Sequence, residues 1–114
     1  MYTLYGIKTC DTVKKARQWQ LQHHLAHQFH DFRVDGLTSD QLKHFASQVD
    51  WNVLLNKSST TWRQLSPDQQ SDLSQEKALT LMLANPTLIK RPILDAGTKL
   101  LVGFKADTYS TELL

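Results

Sequence analysis

The sequence predicts an α/β fold in which a mixed sheet is flanked by helices, and three observations carry this reading. A β-prone run, an amphipathic helical pattern and a second β-prone run follow one another between residues 2 and 32. A block with helical periodicity occupies about 38–85. From Leu88 onward the chain reads as two strands joined by a tight turn and closed by a helix.

The first strand is Tyr2-Thr-Leu-Tyr5, β-prone by composition and broken by Gly6. Val13, Ala16 and Trp19 recur at three-residue spacing and predict a helix over 12–23. Ala26 to Phe32, with Phe29 and Phe32, suits a second strand, and Val34-Asp35-Gly36 turns the chain. Thr38 or Ser39 is placed to cap a helix over about 40–48, whose stripe is Leu42, Phe45, Ala46 and Val49. A short apolar patch, Trp51 to Leu55, and a polar loop, Asn56 to Thr60, come next. Thr60 to Leu65 allows one or two helical turns, and Ser66-Pro67 is an N-cap and first-turn pair for another helix. Residues 75–84 carry Ala78, Leu79, Leu81, Met82 and Leu83 and predict a helix buried over a broad face, ended by Asn85-Pro86. Leu88 to Leu94 and Thr98 to Phe104 are read as strands around Asp95-Ala-Gly97, and about 106–113 as the last helix. This order, βαβ, a helical block, then ββα, is that of a thioredoxin-type domain with a helical insertion.

A chain of 114 residues supports one real core and is too short for two ordinary domains, so a single domain over 1–114 is expected. Hydrophobic residues at 40% and charged residues at 21% exclude a disordered chain. Thirteen Lys and Arg against eleven Asp and Glu leave a net charge of +2, too small and too scattered to point to nucleic acid. No apolar run approaches the roughly 18 residues of a membrane helix, and Met1 leads into strand-like sequence without a basic-then-apolar leader. A cytoplasmic monomer is expected.

Cys10 is the one cysteine, so no internal disulfide exists and any redox chemistry passes through a second molecule. Its address, between the first strand and the first helix, puts the thiol where unpaired backbone N–H groups and the helix dipole favour a thiolate. Asp11 opposes this as a neighbouring negative charge. His23, His24, His27 and His30 straddle a helix end and a strand with no acidic or thiol ligand at a standard spacing, so no metal is expected. Trp19, Trp51 and Trp62 lack the basic and aromatic interleaving of a base-stacking platform and are read as packing residues.

Four passages in order, Leu4-Tyr-Gly-Ile-Lys-Thr-Cys-Asp-Thr-Val-Lys-Lys-Ala16, Phe29-His-Asp-Phe-Arg33, Trp51 to Arg63, and Leu88-Ile-Lys-Arg-Pro-Ile93, resemble the ArsC/Spx family, the arsenate-reductase-like branch of the thioredoxin superfamily, and within it the small YffB-type proteins. The resemblance covers nearly the whole chain. It implies that Cys10 is the nucleophile, that Arg91 binds an anion, and that Pro92 is the cis proline beside the active site; Lys8, Thr9 and Lys57 join Arg91 and Pro92 as expected substrate or glutathione contacts. Two departures count against arsenate as substrate. Asn56 and the vicinity of Gly103 stand where arginines of the oxyanion cage belong, and Ile7-Lys8 replaces an Asn-Pro pair before the nucleophile.

The expected chemistry is glutathione-dependent thiol-disulfide exchange with one nucleophilic cysteine. No cofactor is bound, glutathione is the co-substrate, and a small-molecule or protein disulfide is the substrate. Val13 occupies the place of the second cysteine of a CxxC pair, so an external thiol must release Cys10. Two alternatives stand beside this: an Spx-like adaptor binding a protein such as RNA polymerase, and a residual arsenate reductase.

Overall fold

The computed structural model describes residues 2–114. In chain order the elements are β1 (Tyr2–Gly6), α1 (Asp11–Gln22), β2 (His27–Asp31), α2 (Ser39–Gln48), α3 (Trp51–Leu54), α4 (Thr60–Gln64), α5 (Pro67–Gln70), α6 (Gln75–Ala84), a 3-10 turn at Pro86–Leu88, β3 (Ile93–Asp95), β4 (Leu100–Val102) and α7 (Ala106–Leu113). The chain divides into two compact units, one running to Gly36 and resuming at Arg91–Leu114, the other Leu37–Lys90.

The first unit holds a four-stranded sheet in the order β2-β1-β3-β4. β1 and β2 run parallel, with Leu4 opposite Phe29, as α1 between them requires. β3 is antiparallel to β1, with Leu4 opposite Leu94, and β4 antiparallel to β3, so the sheet is mixed. Leu4, Ala16, Trp19, Leu94 and Tyr109 form the core of this unit. Each fully buried large side chain here contributes about 1.5–3 kcal/mol. On α1, Val13, Ala16, Trp19 and Gln20 make the buried stripe. Its close approach to β1 is set by Gly6, where a Cβ would stand 2.7 Å from Val13 Cγ2. The helix ends in a Schellman arrangement: His24 takes φ 56°, its N–H donates to the Leu21 carbonyl, and the Leu25 N–H donates to the Gln20 carbonyl.

The second unit is helical, and its helix starts are written in the sequence. Thr38 caps α2 in a reciprocal box with Gln41, and Ser66 does the same for α5 with Gln69 and Pro67 in the first turn. Asp50, Ser59 and Ser74 cap α3, α4 and α6. Leu42 and Phe45 on α2 and Ala78, Leu81 and Met82 on α6 are buried. The unit is closed near its ends by a Leu55–Ile89 bridge, with the Asn56 N–H donating to the Leu88 carbonyl and the Lys90 N–H to the Leu54 carbonyl.

Two elements differ from the sequence reading. The strand expected over Leu88 to Leu94 is only Ile93–Asp95, because Pro86 starts a 3-10 turn and Pro92 has no N–H to give a ladder. The strand expected over Thr98 to Phe104 is Leu100–Val102, matching its short partner residue for residue.

Candidate functional site

β1 ends at Gly6, and the turn Ile7 to Cys10 carries the chain into α1. The Cys10 N–H donates to the Ile7 carbonyl at 3.0 Å, and the Cys10 carbonyl accepts the Lys14 N–H at 3.0 Å, the opening bond of the helix. Cys10 is thus the N-cap residue, with extended backbone at φ −74° and ψ 125°. N-caps are ordinarily Ser, Thr, Asp or Asn, whose oxygen accepts a first-turn N–H. Here the side chain makes no such bond, and the thiol is free and partly exposed. Lys8 and Thr9 are exposed beside it in the chain.

The other end of the chain returns to the same edge of the sheet. Tyr5 of β1 is opposite Ile93, the first residue of β3, so Arg91 and Pro92 lie at the end of β1 from which the Cys10 turn departs. The Arg91–Pro92 bond is cis. The Pro92 carbonyl accepts the Gly103 N–H at 2.8 Å, and Gly103 holds φ 79°, a conformation open to a residue without Cβ. The Arg91 Nε and Nη1 atoms are buried and have no hydrogen-bond partner in the structure. Buried guanidinium donors left unpaired are costly, and an anionic group such as a carboxylate is a strong acceptor for them.

Another expected contact, Lys57, belongs to the second unit. It is exposed, with its ammonium 5.6 Å from the centre of the Trp62 ring. The hydroxyl-rich run beside it serves local structure: the Ser59 hydroxyl accepts the Trp62 N–H and donates to the Asn56 carbonyl. Asn56 Oδ1 accepts the Ser58 N–H at 3.0 Å. The histidines have separate partners: His23 Nδ1 meets the Trp19 carbonyl at 2.9 Å and His30 Nε2 the Gly36 carbonyl at 2.7 Å. Among the described residues no group of three or more His, Cys, Asp or Glu is placed to hold a metal.

One residue at this edge escaped the sequence reading. Asp31 ends β2 opposite Gly6 and is 6% exposed. Its Oδ2 accepts the Lys8 N–H at 3.1 Å and its Oδ1 the Arg33 N–H at 2.8 Å. Burial opposes the charge on this carboxylate, but the backbone N–H donors outweigh it and hold the carboxyl below its ordinary range. Asp35 Oδ2 in turn accepts the Asp31 N–H at 2.9 Å. A strand-ending Asp followed four residues later by another Asp is a turn signal, but nothing local to it names Lys8 as partner.

A βαβ start, an antiparallel β3β4 pair, and a cysteine at the first helix N-terminus at the end of β1 where a cis proline also lies define a thioredoxin-like protein. The chain belongs to the ArsC family, whose model matches residues 5–111. It is similar to the solved structure of a protein named YFFB, at 46% identity over the full length of both chains and a TM-score of 0.95. It is also similar to an arsenate reductase (ArsC) related protein from Brucella melitensis, 44% identical, with 97% of this chain and 92% of that one covered and a TM-score of 0.79. The global transcriptional regulator Spx of Streptococcus mutans is 28% identical over 109 residues, 94% of this chain and 79% of Spx. Among the described residues no helix is long and apolar enough to cross a membrane.

Proposed function

We propose that the protein is a cytoplasmic thiol-disulfide oxidoreductase that works with glutathione through Cys10 alone. The observation that carries this is the N-cap thiol without a capping bond, at the sheet edge shared with the cis Arg91–Pro92 bond. In the first step the Cys10 thiolate attacks a sulfur of a glutathione mixed disulfide; that S–S bond breaks, the substrate leaves as a thiolate, and a Cys10–glutathione disulfide forms. A glutathione thiolate then attacks this disulfide, releasing the Cys10 thiolate and oxidised glutathione, so one glutathione thiol reduces one mixed disulfide. Arg91 has the unpaired donors to hold a glutathione carboxylate. Arsenate suits the site poorly, since Gly103 has no side chain to offer a donor.

The test is intact-mass analysis of reduced protein exposed to oxidised glutathione and then to glutathione. Wild type is expected to gain and lose one glutathione, and Cys10→Ser to gain none. A wild-type protein that stays unmodified under excess oxidised glutathione rejects the reading.

The similarity to Spx favours a second reading, a regulator that binds a protein partner such as RNA polymerase. Val13, fully buried against Gly6, fills the place a second redox cysteine would need, so such a regulator would lack an intramolecular disulfide switch. Capture of purified RNA polymerase by the Cys10→Ser variant as strongly as by wild type, with no glutathione exchange, decides for it.

A further inference from the structure

We infer that Asp31 is a positioning residue for Cys10: by accepting the Lys8 N–H it fixes the Ile7 to Cys10 turn and so sets how fast the thiol exchanges with a disulfide. The inference rests on the exchange chemistry proposed above.

The turn between β1 and α1 has one internal bond, from the Cys10 N–H to the Ile7 carbonyl, and exposed side chains at Lys8 and Thr9. Its backbone would be free to rock about Gly6 if nothing held its middle. The Lys8 N–H is held, and by a carboxylate from another strand, 23 residues away in the chain. Both carboxylate oxygens are committed, Oδ2 to the turn and Oδ1 to the Arg33 N–H, so Asp31 joins the cysteine turn to the rigid end of β2. Its own N–H is held by Asp35. A buried carboxylate whose partners are backbone donors is an expensive feature to place in a fold. An amide could serve only one of these two donors with its oxygen, because its NH2 group would face the other N–H.

Disulfide exchange needs the attacking sulfur in line with the S–S bond while the ligand is held elsewhere, and misplacement of a reacting group by about 1 Å costs up to 100-fold. Alkylation by iodoacetamide, a small reagent without a binding site, has no such requirement. The experiment compares wild type, Asp31→Ala and Asp35→Ala at a temperature where circular dichroism shows all three folded. It reads the rate of glutathione adduct formation, the rate of iodoacetamide alkylation, and hydrogen exchange of the Lys8 amide. Asp31→Ala is expected to slow adduct formation about 10-fold, to leave alkylation within about twofold, and to speed Lys8 exchange. Asp35→Ala, which loses the bond to the Asp31 N–H without touching Lys8, is expected to keep the wild-type rates. A folded Asp31→Ala with the wild-type adduct rate overturns the inference, as does an equal loss in both variants or a parallel loss in both reactions. If Asp31→Ala does not fold, Asp31→Ser, whose shorter side chain gives up the carboxylate, takes its place under the same criteria. If wild type takes up no glutathione, the exchange reading fails separately; Lys8 exchange then decides whether Asp31 holds the turn, upheld if faster in the Asp31 variant alone and rejected if unchanged.

Discussion

Two residues show how backbone conformation constrains this chain. His24 sits at φ 56° just past α1, where its Cβ crowds the backbone and glycine does not. His24→Gly is expected to raise stability by about 1 kcal/mol, read as a higher urea midpoint with unchanged slope. The Schellman bonds that create this position are made by backbone groups, so the histidine pair alone does not announce it. Cys10 is the opposite case. Its place between a β-prone run and a helical pattern marks a helix N-terminus from sequence alone, while its position as the N-cap, and the absence of a capping bond from the thiol, are visible only in the structure.

Elements of this protein separate by how local their causes are. The helix over 75–84 and the last helix over 106–113 match the sequence reading residue for residue. The periodicity that sets them is local, and Ser74 caps the first of them. The strands near the C-terminus were legible in kind but not in length, because a short strand ends where its partner ends, and the partner is chosen by tertiary pairing. The packing of α1 on β1 gives a further prediction. Gly6→Ala drives a methyl to 2.7 Å from Val13 Cγ2, in a fully buried contact. The expected cost is about 1–3 kcal/mol. A double-mutant cycle checks the cause: Val13→Ala should be less destabilising on the Gly6→Ala background than on wild type.

The response of the folded protein to acid follows from two groups in the first unit. His27 has a buried Nδ1 without a partner. Burial first, and the Arg17 guanidinium second, hold its imidazole below the ordinary value, against a weaker opposing bond to the Leu25 backbone. The fold therefore favours the neutral ring. Its contribution is fully present above the unfolded value of about 6.5 and is lost as pH falls. His27→Gln is expected to flatten the fall in urea midpoint between about pH 6.5 and 5. The Asp31 carboxyl, held low by backbone donors, contributes above its unfolded value of about 3.9 and loses that contribution as pH falls further. The difference in midpoint between wild type and Asp31→Ala should accordingly shrink as pH drops through that range.

The fold class, most of the helices, the thiol at a helix N-terminus and the family were legible in the residues, because periodicity, capping and a motif such as Lys8-Thr-Cys-Asp11 act over short stretches of chain; α3, read only as an apolar patch, was not. Tertiary structure alone decided which backbone groups meet at the end of β1. The antiparallel register of β3 brings Arg91 and Pro92 there, and the parallel register of β2 brings Asp31 to the Lys8 N–H. Those meetings join residues far apart in sequence through hydrogen bonds whose partners are set by strand pairing, and no local pattern in either segment specifies the other.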